Sequence, residues 1–245
     1  RNYRDDNGLN ADINIRTHDI ATIGLWGPKA VNALENFIDP NDIDIKNFPF
    51  VTAKNLTLNL LGEKKVDVWA ARISYVGESG WEIYFNNDKD DGLALYDSLL
   101  EVGVIPVGIE TYANSRRLEK CFRLQGADLE TEYNAIEAAI QRPLVKEADF
   151  HGKFAHLAHR KEDPCAILCT MTLDDLNVSG KTRYPVGISP IVDPATGEVP
   201  IDSKGRRSYT TGMSYCPSIK KFVVMGYLPK QIAVQGKSLL IEYFN

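Results

Sequence analysis

The chain has 245 residues, 44% of them hydrophobic and 25% charged, enough for one large domain or two small ones around a packed core. Its 28 Lys and Arg against 33 Asp and Glu leave a net charge of −5, which does not suit nucleic acid as a main partner. The composition excludes disorder, collagen and coiled coil. No apolar run reaches the roughly 20 residues that cross a bilayer, so no membrane partner is expected.

The first residues, RNYRDDNGLNADINIRTHD, show no initiator Met, no apolar signal core and no Arg/Ser-rich transit pattern. The chain is therefore expected to begin inside a longer polypeptide. DIATIGLWG, residues 19–27, reads as a buried strand ending at Gly27. Pro28 then stands where a helix takes its first residue, and AVNALENFI follows. LTLNLL (56–61) and VDVWAARISY (66–75) read as strands separated by a polar turn at Gly62–Lys65. WEIYF (81–85) is a further strand, and DGLALYDSLLEVG (91–103) is an amphipathic helix with an acidic start and a Gly stop.

A second helix is expected from Ile109 to Leu124, followed by a polar connector over 146–164. Beyond Pro164, CAILCTMTL (165–173), FVVMGYL (222–228) and SLLIEYF (238–244) are strand-like, between stretches punctuated by Pro, Gly and Asp. The expected organisation is an α+β region over 1–150 and a small β-barrel-like domain over 151–245.

Two constellations carry chemistry. In YVGESGWEIYF (75–85), Gly77 and Gly80 permit a tight turn flanked by Glu78 and Glu82. In a strand, Trp81 and Ile83 face one side while Glu82 and Tyr84 face the other. If Trp81 faces the core, Glu82 points to solvent or a cleft, where a carboxylate can accept paired hydrogen bonds from an N–H-bearing heterocycle. A plain hairpin with solvated acids fits the same pattern. In NSRRLEKCFRLQGADL (114–129), helical spacing puts Arg117 on a stripe with Ala113, Cys121 and Leu124. A guanidinium there needs a carboxylate or a polar ligand, so a structural ion pair and a ligand contact both stand open.

His151, His156 and His159 cluster in the connector without an acid or cysteine at ligand spacing, so no metal site is expected. The four cysteines are too scattered for a disulfide framework, which points to a reducing compartment. Cys165 and Cys169 lie on one strand face more than about 10 Å apart, at a rise of about 3.3 Å per residue. They read as core cysteines. Cys216, in GMSYCPS, has no base partner and is not read as a nucleophile.

GLWGPKAVNAL, ISYVGESGWEIYF, TYANSRRLEKCFRLQGADLETEYNAIEAAI and TTGMSYCPSIKKFVVMGYLP follow one another in the order seen in the folate-binding aminomethyltransferase family. The chain resembles that family over most of residues 19–243. FPFVTAKNL and the RLEK motif are most similar to the branch formed by the C-terminal halves of dimethylglycine and sarcosine dehydrogenases. The resemblance implies a tetrahydrofolate-binding fold that ends in a small β-barrel, with folate accepting a one-carbon unit. In YVGESGWE, Glu82 matches the family glutamate that holds the pterin ring, and the resemblance implies that Tyr75 and Glu78, in the same motif, shape the pocket. In RRLEK, Arg117 matches an arginine on the folate path. The family's first segment, with its aspartate, has no counterpart here, so the folate-binding region is expected to be N-terminally incomplete and the catalytic residue is not assigned. FAD is implied only with an upstream domain outside this chain. The implied partners are folate and a small methylated-amine donor or a carrier protein, in the cytoplasm or the mitochondrial matrix. A folate-dependent demethylase of a methyl ether or sulfonium compound, or a regulatory subunit that kept only the fold, are the alternatives.

Overall fold

The computed structural model describes residues 6–87, 89–174 and 187–242. The chain forms two compact units, dividing between Pro106 and Val107.

The first unit is built on four antiparallel strands, β1 (Ile20–Trp26), β2 (Ala53–Asn59), β3 (Lys65–Ala71) and β4 (Gly80–Asn86), in the order β1-β4-β3-β2. Along β2, β3 and β4 buried side chains largely alternate with more exposed ones, so one face of the sheet is buried and the other is not. Leu56, Leu58, Val66, Val68, Trp81, Ile83 and Phe85 point into the core. Short helices α1 (Ala30–Leu34) and α2 (Pro40–Ile43) and the longer α3 (Lys89–Glu101) accompany the sheet, and Leu34, Ile43, Leu95 and Leu99 join its core. At the start of α2, Pro40 takes the first helical position and Asp39 accepts a hydrogen bond from the Asn41 amide at 2.9 Å.

Gly80 opens β4 where β1 comes closest. Its φ is +151°, and a Cβ there would lie 1.9 Å from the Leu25 carbonyl oxygen. Only glycine admits that approach. Buried Arg72 donates from Nη1 to the carbonyls of Ile43 and Phe48 at 2.9 and 2.8 Å. Its guanidinium also lies 4.9 Å from the Trp81 ring centroid.

In the second unit a π-helical turn, Thr111–Arg116, runs into a short α4 (Arg117–Glu119). The helix expected over 109–124 stops early. Cys121 adopts φ 56°, and Phe122 folds back so that its carbonyl accepts from Arg117 at 3.1 Å. Burying the guanidinium requires carbonyl acceptors, and the chain turns to supply one. The expected connector contains a helix, α5 (Lys153–His159).

The strands β5 (Ala166–Leu173), β7 (Thr210–Cys216) and β8 (Lys221–Pro229) form an antiparallel sheet in the order β5-β8-β7. β6 (Ile191–Val192) and β9 (Leu240–Ile241) form a separate two-stranded ribbon. The mixed helix-and-sheet fold stands as expected, but the C-terminal β-barrel does not. Among the described residues both sheets are open, with β5 and β7 as the outer strands of the larger one. Three strands are too few to curl into a closed wall. Residues 243–244 of the last expected strand lie outside the described residues. Leu118, Tyr133 and Ala138 share one core with Ala166, Leu168 and Tyr227.

Candidate functional site

β4 is an inner strand of the first sheet, between β1 and β3. Trp81 is fully buried, which turns Glu82 and Tyr84 to the outer face, where both are half-buried. Glu82 stands opposite Gly24 on β1 and Ala71 on β3, two small neighbours that leave its carboxylate uncrowded. The Tyr84 hydroxyl donates a short hydrogen bond to Glu82 Oε2. Tyr84 in turn stands opposite Trp69, their ring centroids 5.0 Å apart and the planes inclined at 54°. On the other side, the Trp26 indole lies against Gly24. A Cβ on that glycine would come within 2.1 Å of the ring. Trp26 Nε1 donates to the Ile73 carbonyl at 2.9 Å, which fixes the indole.

Beside this strip is a cavity of about 700 Å³. Trp69 and Tyr84 line it together with Asn55, Thr57, Asp67 and Asn86. Thr57 Oγ1 donates to Asp67 Oδ1 at 2.6 Å. The face therefore offers a carboxylate, aromatic planes and a polar wall. Such a surface can hold a flat heterocycle by its edge and its π face.

Tyr75 and Glu78 are half-buried on the loop that enters β4. The Ser74 hydroxyl shapes that loop by accepting from the Val76 and Glu78 amides at 3.3 and 3.2 Å. The Gly27 amide ties it to β1 by donating to the Ser79 carbonyl at 2.9 Å. Tyr75 and Glu78 thus belong to the approach to β4, whereas Glu82 and Tyr84 lie within the strand. Tyr84 and Trp69 were not singled out from the sequence as site residues. The alternation of β4 places Tyr84 beside Glu82, but the pairing with Trp69 depends on cross-strand register.

Arg117 lies in the second unit and is 1% exposed. It forms an ion pair with Asp128, which is also buried. Its Nε donates to the Ala113 carbonyl at 2.8 Å. Asp128 accepts from the Leu124 amide at 2.8 Å and from the Thr211 hydroxyl, and its carbonyl accepts from the Tyr227 hydroxyl at 2.7 Å. Of the two arrangements open from the sequence, Arg117 adopts the ion pair.

A second network lies in the same unit. Arg206 donates to Asp202 at 2.7 Å and to both oxygens of the buried Glu137, and its guanidinium sits 4.2 Å from the Tyr133 ring centroid. Tyr133 stacks on Tyr227 with ring centroids 3.5 Å apart. Burial opposes ionisation of Glu137 and Asp202. Hydrogen bonds from Arg206 and from backbone amides outweigh it and hold both carboxyls below their ordinary values. Burial pushes the Cys216 thiol up to about 11, consistent with an unreactive side chain. Cys165 and Cys169 lie on the half-exposed face of the β5 region, opposite buried Ala166 and Leu168, and so are not core cysteines.

Residues 1–147 match the family model described as GCVT N-terminal domain. Similar proteins include the mitochondrial dimethylglycine dehydrogenase of Homo sapiens, 30% identical over 250 residues, covering 96% of this chain and 25% of that protein. The aminomethyltransferase of Koribacter versatilis is 29% identical over 231 residues, covering 91% of this chain and 54% of that protein. This chain thus spans about a quarter of the one relative and about half of the other. The crystal structure of glycine cleavage system aminomethyltransferase T from Bartonella henselae has the same fold. It aligns with a TM-score of 0.66 at 22% identity, over 91% of this chain and 55% of that one.

Proposed function

The chain belongs to the GCVT N-terminal domain family, and from that membership we propose that it is the folate-binding part of a tetrahydrofolate-dependent one-carbon transferase. The observation that carries this reading is the half-buried Glu82 carboxylate on the outer sheet face, bonded to Tyr84 and edged by Trp69 and Trp26. A pterin ring is flat and carries adjacent N–H donors along one edge. A carboxylate can accept such a pair, and a single phenol uses only part of its accepting capacity. The residue types present therefore fit the ligand.

When bound, tetrahydrofolate supplies the nitrogen nucleophile that takes up the one-carbon unit. Glu82 orients the ring, and Tyr75 and Glu78 bound the approach to it. The protein contributes position and charge complementarity rather than a covalent step. Arg117, paired with Asp128, holds the second unit together rather than meeting the ligand. The donor is a methylated amine or an aminomethyl group, free or on a carrier protein. FAD enters only where this chain is part of a longer polypeptide with a flavin domain. A mitochondrial location accords with the human relative's name.

The test is calorimetric titration of the chain with 5-formyltetrahydrofolate beside its Glu82→Ala variant. Saturable binding, weakened in the variant by about 1–3 kcal/mol through loss of charge-assisted hydrogen bonds, is the expected result. A folded chain with no affinity would instead favour the regulatory reading. Binding followed by turnover of methyl ethers or sulfonium compounds, but not amines, would favour the demethylase.

A further inference from the structure

Glu82 does not stand alone on its face. Its carboxylate accepts a hydrogen bond from Tyr84, two residues along the same strand. A Tyr–Glu contact at that spacing requires both side chains to lean together along the strand, and Tyr84 has a reason to lean. Trp69, directly across on β3, lies 5.0 Å from it with the ring planes tilted by 54°, a cross-strand contact that restricts the phenol ring. On the far side Glu82 has only Gly24 and Ala71 as cross-strand partners. Neither bears a group that can fix a carboxylate. The orientation of Glu82 is thus set from one side, by a chain running Trp69, Tyr84, Glu82. The first two also form a wall of the cavity of about 700 Å³.

We propose that Tyr84 is a positioning residue that holds the Glu82 carboxylate in its ligand-accepting orientation, with Trp69 bracing the phenol. The inference rests on the folate reading of Glu82 and deepens it. It assigns part of the ring affinity to a residue acting through Glu82 rather than on the ligand. A floppy glutamate would lose rotamer freedom on binding; one already held by Tyr84 loses less. The phenol leaves accepting capacity on the carboxylate for the incoming N–H groups.

The experiment is a double-mutant cycle read by calorimetry on the full chain. Tyr84→Phe keeps the ring on Trp69 and removes only the hydroxyl. It is expected to weaken 5-formyltetrahydrofolate binding roughly tenfold with an unchanged thermal midpoint. In a Glu82→Ala background the same change is expected to have no further effect, because its route to the ligand is gone. p-Aminobenzoylglutamate, which lacks the pterin ring, is expected to bind wild type and Tyr84→Phe alike. A full tenfold loss in the Glu82→Ala background would overturn the proposal by making Tyr84 a direct contact. So would wild-type affinity in Tyr84→Phe when Glu82→Ala is weakened, which would leave the folate reading intact. No saturable binding by the wild-type chain would remove both.

Discussion

The buried charges of the second unit and Glu82 on the outer sheet face of the first are held in opposite ways. In the second, Arg117 and Asp128 are buried together and bonded to carbonyls, an amide and hydroxyls. Arg206, Glu137 and Asp202 are enclosed in the same manner. On the outer face of the first, Glu82 is half-buried, flanked by glycine and alanine and held by one phenol. Closed networks of the first kind cannot receive a ligand without first losing a partner, and their disruption is felt as instability. A carboxylate of the second kind has capacity to spare, so its removal should be felt in binding and hardly in stability.

The largest expected effect of breaking this contrast is Arg117→Ala. It leaves Asp128 charged and buried, and should cost about 3–5 kcal/mol in chemical denaturation, enough to unfold the second unit in a marginal chain. Arg206→Ala should cost less, about 2 kcal/mol, because that guanidinium is nearer the surface and part of its contribution is the cation–π contact with Tyr133.

Acid sharpens the same comparison. Glu137 and Asp202 titrate below their ordinary values of 4.5 and 3.8 when folded, so the stability they contribute is complete above those values. It is lost as pH falls through their lower folded values. Denaturant midpoints followed from neutral pH down to pH 3 should therefore drop at the acid end. The drop should be smaller in Glu137→Gln, which has one fewer carboxylate to protonate. The smallest stability effect belongs to Glu82→Ala, within about 0.5 kcal/mol, as for a substitution outside the core.

Much of the first unit was legible because its strands alternate cleanly. DIATIGLW and WEIYF give β1 and β4 nearly to the residue, LTLNLL overlaps β2 only over Leu56–Asn59, and the buried Trp81 turns Glu82 outward as its place in the strand requires. The second unit was less legible because its organising contacts are long-range. Helical periodicity places Arg117 on a stripe with Cys121, but the chain turns back at Cys121 to deliver the Phe122 carbonyl to the guanidinium. Asp128 could be guessed as a partner from proximity along the chain. Thr211, which bonds it from 83 residues away, could not. The Trp69–Tyr84 pair was hidden for the same reason, since cross-strand register is fixed by the whole sheet rather than by either segment.

The contrast is tested most directly by the thermal midpoint of wild type and Glu82→Ala, each with and without saturating 5-formyltetrahydrofolate. The expected result is equal midpoints without ligand, with an upward shift on ligand addition in wild type that is largely lost in the variant. A variant that melts several degrees lower on its own yet keeps the full ligand shift would contradict it, by placing Glu82 with the residues that hold the fold.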